Sequence, residues 1–269
     1  NEIKSQKIKR LICTLNNSET FHCALQSMGN GTYFVMVNKE LQKSPQQTRR
    51  YSELLIKLLS RRFSNKEQLV IKPTNTANNI LSLVAEMGSQ IVILHSDLRS
   101  FLISVLKKGE PCKAFVRQQY NIFALDPNGL GAIPQRQAMG FTDLQVAATV
   151  WRHQMELFQR TLSACPATQI ASLDSKTLTS NASTVLPAVA RHFGLNFSKA
   201  LLNEVANGPV FQRNAKFSDE QYDSDQRDRE ASMIEERYGP ALDVIEQWAT
   251  QLNLGSSIDW PLPKTLELE

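Results

Sequence analysis

The stretch from Gln68 to Gly109, QLVIKPTNTANNILSLVAEMGSQIVILHSDLRSFLISVLKKG, limits the possible folds more than any other part of the chain. It reads as strand, turn, helix, strand, turn, helix. Leu69-Val70-Ile71 is a short apolar run that stops at Lys72-Pro73, because proline cannot continue a central strand. Thr74, Asn75 and Thr76 suit a helix N-cap. Ile80, Leu81, Leu83, Val84 and Met87 then follow at helical spacing, up to Gly88. Ile91-Val92-Ile93-Leu94 has no polar interruption, as expected of a strand covered on both faces. Ser96 or Asp97 can cap the next helix, which carries Leu98, Phe101, Leu102, Val105 and Leu106 and ends at Lys107-Lys108-Gly109.

Two successive strand–helix units predict a parallel sheet with crossover helices. Ligands of such sheets bind outside the carboxyl ends of the strands. The turns Lys72 to Asn75 and His95 to Arg99 both fall on that edge. A lysine, an arginine, a histidine and several hydroxyls beside two helix N-termini suit a phosphate or sulfate. The same residue types also serve as ordinary caps and a solvated rim in any α/β fold.

The chain has 269 residues, enough for one α/β domain with a helical extension, and we read residues 1–265 as a single domain. Leu266 to Glu269 reads as candidate cloning residues and is left out of that reading. The formal charge of +4 is weak support for an anionic ligand and too small to argue for nucleic acid. Cys13, Cys23, Cys112 and Cys165 form no C-x-x-C pair and read as reduced cytoplasmic thiols. His22, His95, His153 and His192 are too scattered to spell a metal motif. No apolar run is long enough to span a membrane, and no signal peptide is visible. The first residue is Asn1, which leaves room for a targeting segment removed ahead of it.

Before the central stretch, Lys9 to Thr14 reads as a first strand, Ser18 to Met28 as a helix and Tyr33 to Val37 as a second strand. Pro45 falls in a loop, and Arg49 to Phe63 is an amphipathic helix bracketed by arginines, which we read as a solvated face. After the central stretch, Cys112 to Leu125 is a helix opened by Pro111, and Asp126 to Pro134 is a loop. Thr142 to Leu162 is a long helix, Thr168 to Leu173 a strand, and Val185 to Phe193 and Ser198 to Ala206 are helices. Gly208 to Asp228 is polar and reads as a long loop. Arg229 to Leu252 is helical with a break at Gly239-Pro240. The fold class is therefore α/β, a mainly parallel sheet with helices on both faces and a helical C-terminal part.

Several stretches, in order, resemble the sulfotransferase family, a branch of the P-loop nucleotide-binding fold. They are Ile71-Lys72-Pro73-Thr74-Asn75 with Ala77-Asn78, then Leu98-Arg99 through Ser104 to Gly109. Asp143-Leu144-Gln145 with Ala147-Ala148 and Trp151 follows, then Ser172-Leu173-Asp174 and His192-Phe193-Gly194-Leu195. The last is Phe211-Gln212-Arg213-Asn214-Ala215-Lys216. The resemblance implies transfer of a sulfuryl group from 3′-phosphoadenosine 5′-phosphosulfate to the hydroxyl or amine of a small molecule or other substrate, while the low net charge and the lack of a long apolar run predict no nucleic-acid or membrane partner. It implies that Ser104 holds the donor's 3′-phosphate, with His95 where the family has arginine and Arg99 one turn on. It implies that Lys72 lies at the sulfuryl group and that Arg213 and Lys216 close over the 3′-phosphate. Where many relatives have a histidine base, Thr74 stands here, and neither it nor Asn75 is a base at neutral pH. His22, His95, Glu40 and Glu19 remain as candidates for that role.

The phosphosulfate loop departs from the family pattern. Its place is taken by Leu15-Asn16-Asn17-Ser18-Glu19-Thr20, where Ser18 and Thr20 keep hydroxyls for the donor but the basic residue and the glycine are gone. Glu19 puts a negative charge beside a phosphosulfate, at a cost of about 1 to 4 kcal/mol depending on local dielectric. A non-catalytic relative that binds a nucleotide or a protein partner is the alternative expectation. A kinase-type P-loop is not written anywhere in the chain.

Overall fold

The structure is a computed structural model that describes residues 45–61, 70–73, 75–125, 129–208, 211, 224–252 and 257–268. These fall into two compact units, one within Asn1–Ser89 and Asn121–Ala132, the other within Gln90–Tyr120 and Ile133–Glu269. The expected strands at Lys9 to Thr14 and Tyr33 to Val37, the loop with Ser18 and Thr20, and Arg213 and Lys216 lie outside the described residues.

In the first unit, α1 (Pro45–Leu59) is amphipathic, and α2 (Leu81–Glu86) follows a 3-10 turn at Asn75–Ile80. Leu55 of α1 packs with Ala77 and Ile80, and Leu59, Leu83 and Val84 close the cluster. Arg49 bridges Glu53 of its own helix and Glu86 of α2, at 3.2 and 2.6 Å. Pro45 opens α1 and does not sit in a loop, as a proline at a first helical position gives up an N–H that has no partner there anyway.

The second unit is built on a parallel pair, β1 (Ile91–His95) and β2 (Ile170–Asp174), in register from Ile91 opposite Ile170 to His95 opposite Asp174. Between them run α3 (Leu98–Phe123), α4 (Gln135–Ala138) and α5 (Asp143–Ala164). The helix α3 is broken at Gly109, whose φ of 64° and ψ of −151° are helical in no sense and suit a residue without a Cβ. Thr142 starts α5 with a capping box, its hydroxyl accepting from the Gln145 N–H while the Gln145 side chain accepts from the Thr142 N–H. After β2 come α6 (Ser175–Ser180), α7 (Ala182–His192), α8 (Lys199–Ala206) and α9 (Ser224–Gln251).

Four residues of β2, Ile170 to Leu173, are buried in succession, as a strand covered on both faces requires. Ala171 and Leu173 pack on Val185 and Ala188 of α7 and on Leu266. The tail makes a parallel bridge from Thr265 to Ser172, with Ser172 N–H donating to the Lys264 carbonyl and Leu266 N–H to the Ser172 carbonyl, both at 2.8 Å. Leu266 therefore belongs to the core, although its sequence reads as a cloning remnant. An apolar leucine that is only 6% exposed is held by burial, whatever its neighbours spell.

Three further expectations are corrected. Val70 and Ile71 are not in a strand; they lie in irregular backbone and are 42% and 37% exposed. A run so short, stopped by Lys72-Pro73, buries too little to pin an extended segment. Leu94 of β1 is 48% exposed, so β1 is not covered along its whole length. α9 continues through Gly239-Pro240 without a break. Glycine before proline relieves the clash that normally drives that position out of helix, and exposed Glu236 can turn its unpaired carbonyl to water. The architecture is mixed α/β, mostly helical, with a two-stranded parallel sheet among the described residues.

Candidate functional site

The carboxyl ends of β1 and β2 set His95 beside Asp174. Each strand passes directly into a helix whose first turn is capped by a carboxylate. Asp97 accepts from the Ser100 N–H and from the Ser100 hydroxyl, both at 2.7 Å. Asp174 accepts from the Thr177 N–H at 3.2 Å. The N-terminus of α3, one of the two that the sequence offered to a phosphate, is thus already occupied by a side-chain anion, and so is that of α6.

His95 is 7% exposed, and its Nδ1 has no hydrogen-bond partner among the described residues. Its ring meets Trp260 edge-on, with centroids 5.2 Å apart. Burial pushes its pKa below the usual histidine range, and the charges of Asp174 and Asp97 oppose that shift. The imidazole is therefore held neutral. Trp151 of α5 donates from Nε1 to the Ser96 carbonyl at 2.8 Å and lies 5.8 Å from Trp260. This bond ties α5 to the turn that leaves β1. Trp260 is 44% exposed, so one indole of the group faces solvent.

Arg99, in the first turn of α3, is held by α9. Its Nε donates to both carboxylate oxygens of Glu235 at 3.1 Å, and its Nη1 to Asp243 at 2.8 Å and Glu246 at 2.5 Å. Its Nη2 also donates to Glu235. These hydrogen bonds raise the Arg99 pKa well above the ordinary arginine value. Ser104, further along α3, accepts from the Lys108 ammonium at 2.8 Å. Lys107 pairs with Glu230 of α9 at 3.2 Å.

His95, Arg99 and Ser104 thus share the segment from the end of β1 into α3, but each engages different partners. Lys72 is exposed and belongs to the first unit. Asp174, Trp260 and the three α9 carboxylates were not singled out as site residues in the sequence. A signal was present for two groups of them. Asp174 ends its strand as His95 does, and Glu235, Asp243 and Glu246 fall on one helical face. Nothing local marks Trp260, which reaches the site only because the tail pairs with β2.

Comparison with protein-family models, with curated proteins and with solved structures finds no match for this chain. Among the described residues, no helix is long and apolar enough to cross a membrane. No group of three His, Cys, Asp or Glu side chains among them is placed to hold a metal ion.

Proposed function

We propose that the chain is a sulfotransferase-like protein that moves a sulfuryl group from 3′-phosphoadenosine 5′-phosphosulfate to a hydroxyl or amine of a small acceptor. The observation that supports this reading best is the Ser104–Lys108 pair on the helix that follows β1. A hydroxyl and an ammonium side by side offer a phosphate monoester one neutral and one charged hydrogen bond. Neutral His95, at the strand end, can donate one further hydrogen bond to an anion in place of the family's arginine. In the transfer, the acceptor oxygen or nitrogen attacks sulfur in line and gives up its proton to a base or to water. The bond from sulfur to the bridging oxygen breaks, and adenosine 3′,5′-bisphosphate leaves with that electron pair. The family resemblance gives Lys72 the role of positive charge at the bridging oxygen, and Arg213 and Lys216 that of closing on the donor, and these remain roles to be tested by substitution. The free thiols of Cys112 and Cys165 support a cytoplasmic setting.

A second reading, a non-catalytic relative that binds a nucleotide or a protein partner, is favoured by a different observation. Arg99 is surrounded by three carboxylates, and Asp97 and Asp174 occupy the helix N-termini. Titration calorimetry with adenosine 3′,5′-bisphosphate, followed by a transfer assay against phenols, alcohols and amines, separates the two. Binding with transfer supports the enzyme. Binding without transfer supports the non-catalytic nucleotide binder. Absence of both overturns any reading that uses the nucleotide.

A further inference from the structure

We infer that α9 is an internal latch, in which Glu235, Asp243 and Glu246 occupy the Arg99 guanidinium in place of an anionic ligand. This inference rests on the sulfotransferase-like reading, because it needs Arg99 to be a residue that a phosphate would otherwise engage. Arg99 stands in the first turn of α3, just beyond the carboxyl end of β1, where a ligand of such a sheet is bound. Each of its three guanidinium nitrogens donates to a carboxylate from one other helix. A second cation of α3, Lys107, is also paired with α9, through Glu230. One helix thus takes up two cations of α3.

Three carboxylates around one guanidinium exceed what pairing requires. Like charges crowded this way repel one another, so the arrangement is poorly explained as a device for stability. Nor is it needed to hold α9 in place. Leu242, Ile245, Ala249 and Leu252 form a buried apolar face on α9 and its end, and α9 packs on α5. Arg152 of α5 donates to the Ala249 carbonyl at 3.0 Å, and Trp248 meets Phe141 at 5.2 Å. These contacts keep the helix docked when the acids are neutralised. The guanidinium also lies close to the α9 backbone: a Cβ added at Gly239 would stand 3.9 Å from Arg99 Nη2.

The carboxylates and a phosphate make the same kind of charge-assisted hydrogen bonds to an arginine, so the two compete for one group. A ligand must displace α9 carboxylates before it gains Arg99, and its apparent affinity falls accordingly.

The test is titration of adenosine 3′,5′-bisphosphate into wild type, the triple variant Glu235→Gln/Asp243→Asn/Glu246→Gln, and that triple variant with Arg99→Gln. The expected result is a gain in affinity of about tenfold or more in the triple variant, lost again when Arg99 is removed. Asp243→Asn alone, whose side chain is 69% exposed, supplies the same comparison with a smaller gain should the triple variant fail to fold. Unchanged affinity in folded variants overturns the latch, as does a gain that persists without Arg99. Whether wild type binds at all reports separately on the sulfotransferase-like reading.

Discussion

His95 and Asp174 stand opposite each other in register at the carboxyl ends of the two parallel strands, and each is followed at once by a carboxylate-capped helix. The pairing puts a buried imidazole within the electrostatic reach of Asp174, and Asp97 two residues on acts on it as well. Its neutrality comes from burial, which outweighs the pull of Asp174 and Asp97 toward the charged form.

That balance sets a pH dependence. The folded state lowers the His95 pKa from 6.5, so the unfolded chain binds this proton more readily. The stability linked to His95 is then present above about pH 6.5 and is lost as pH falls toward the folded value. Urea unfolding between about pH 7.5 and about pH 5.5 should show wild type losing stability faster than His95→Gln. Parallel curves for the two proteins would contradict a buried neutral imidazole.

Lys264 tests how the tail holds the second unit. Its backbone has a φ of 56°, and its ammonium donates to the carbonyls of Leu162 and Cys165 at the end of α5. Those carbonyls have no partner within the helix. Lys264→Met keeps the stem and removes the donor, and should lower stability by about 1–3 kcal/mol. Thermal and urea unfolding both read this; a loss below about 0.5 kcal/mol would mean that water replaces the ammonium fully.

Leu266 makes the same argument through packing. It is 6% exposed among Ala171, Leu173, Val185 and Ala188. Leu266→Ala should therefore cost about 2 kcal/mol or more in urea unfolding. A neutral substitution would return the tail to the status its sequence suggests.

Lys72 is exposed in irregular backbone, so folding does not depend on it. Lys72→Met should leave stability within about 0.5 kcal/mol. If the ammonium meets the transferring sulfuryl group, turnover should fall by about two orders of magnitude, the scale of losing one oxyanion donor. Intact turnover would make it a solvated rim residue.

Much of the fold was legible because it is written locally. Ile91 to Leu94 and Thr168 to Leu173 gave the strands, the apolar pattern of Thr142 to Leu162 gave α5, and Val185 to Phe193 most of α7. What failed depends on distant partners. Val70 and Ile71 have a strand's composition, but their sequence says nothing about whether a neighbour covers them. Leu266 carries no local mark of burial, because its partners lie on β2 and α7. The candidate site divides in the same way. His95, Arg99 and Ser104 could be placed after β1 by spacing. That Arg99 is already paired could not be read, since Glu235, Asp243 and Glu246 lie far along the chain.

The most direct measurement is titration of adenosine 3′,5′-bisphosphate into wild type and Ser104→Ala, since the Ser104–Lys108 pair supports the proposed donor site. Sulfotransferase-like binding should give a dissociation constant on the order of 1–100 μM for wild type, weakened by about tenfold when the hydroxyl is removed. No binding up to about 1 mM, or equal affinity in the two folded proteins, would contradict it.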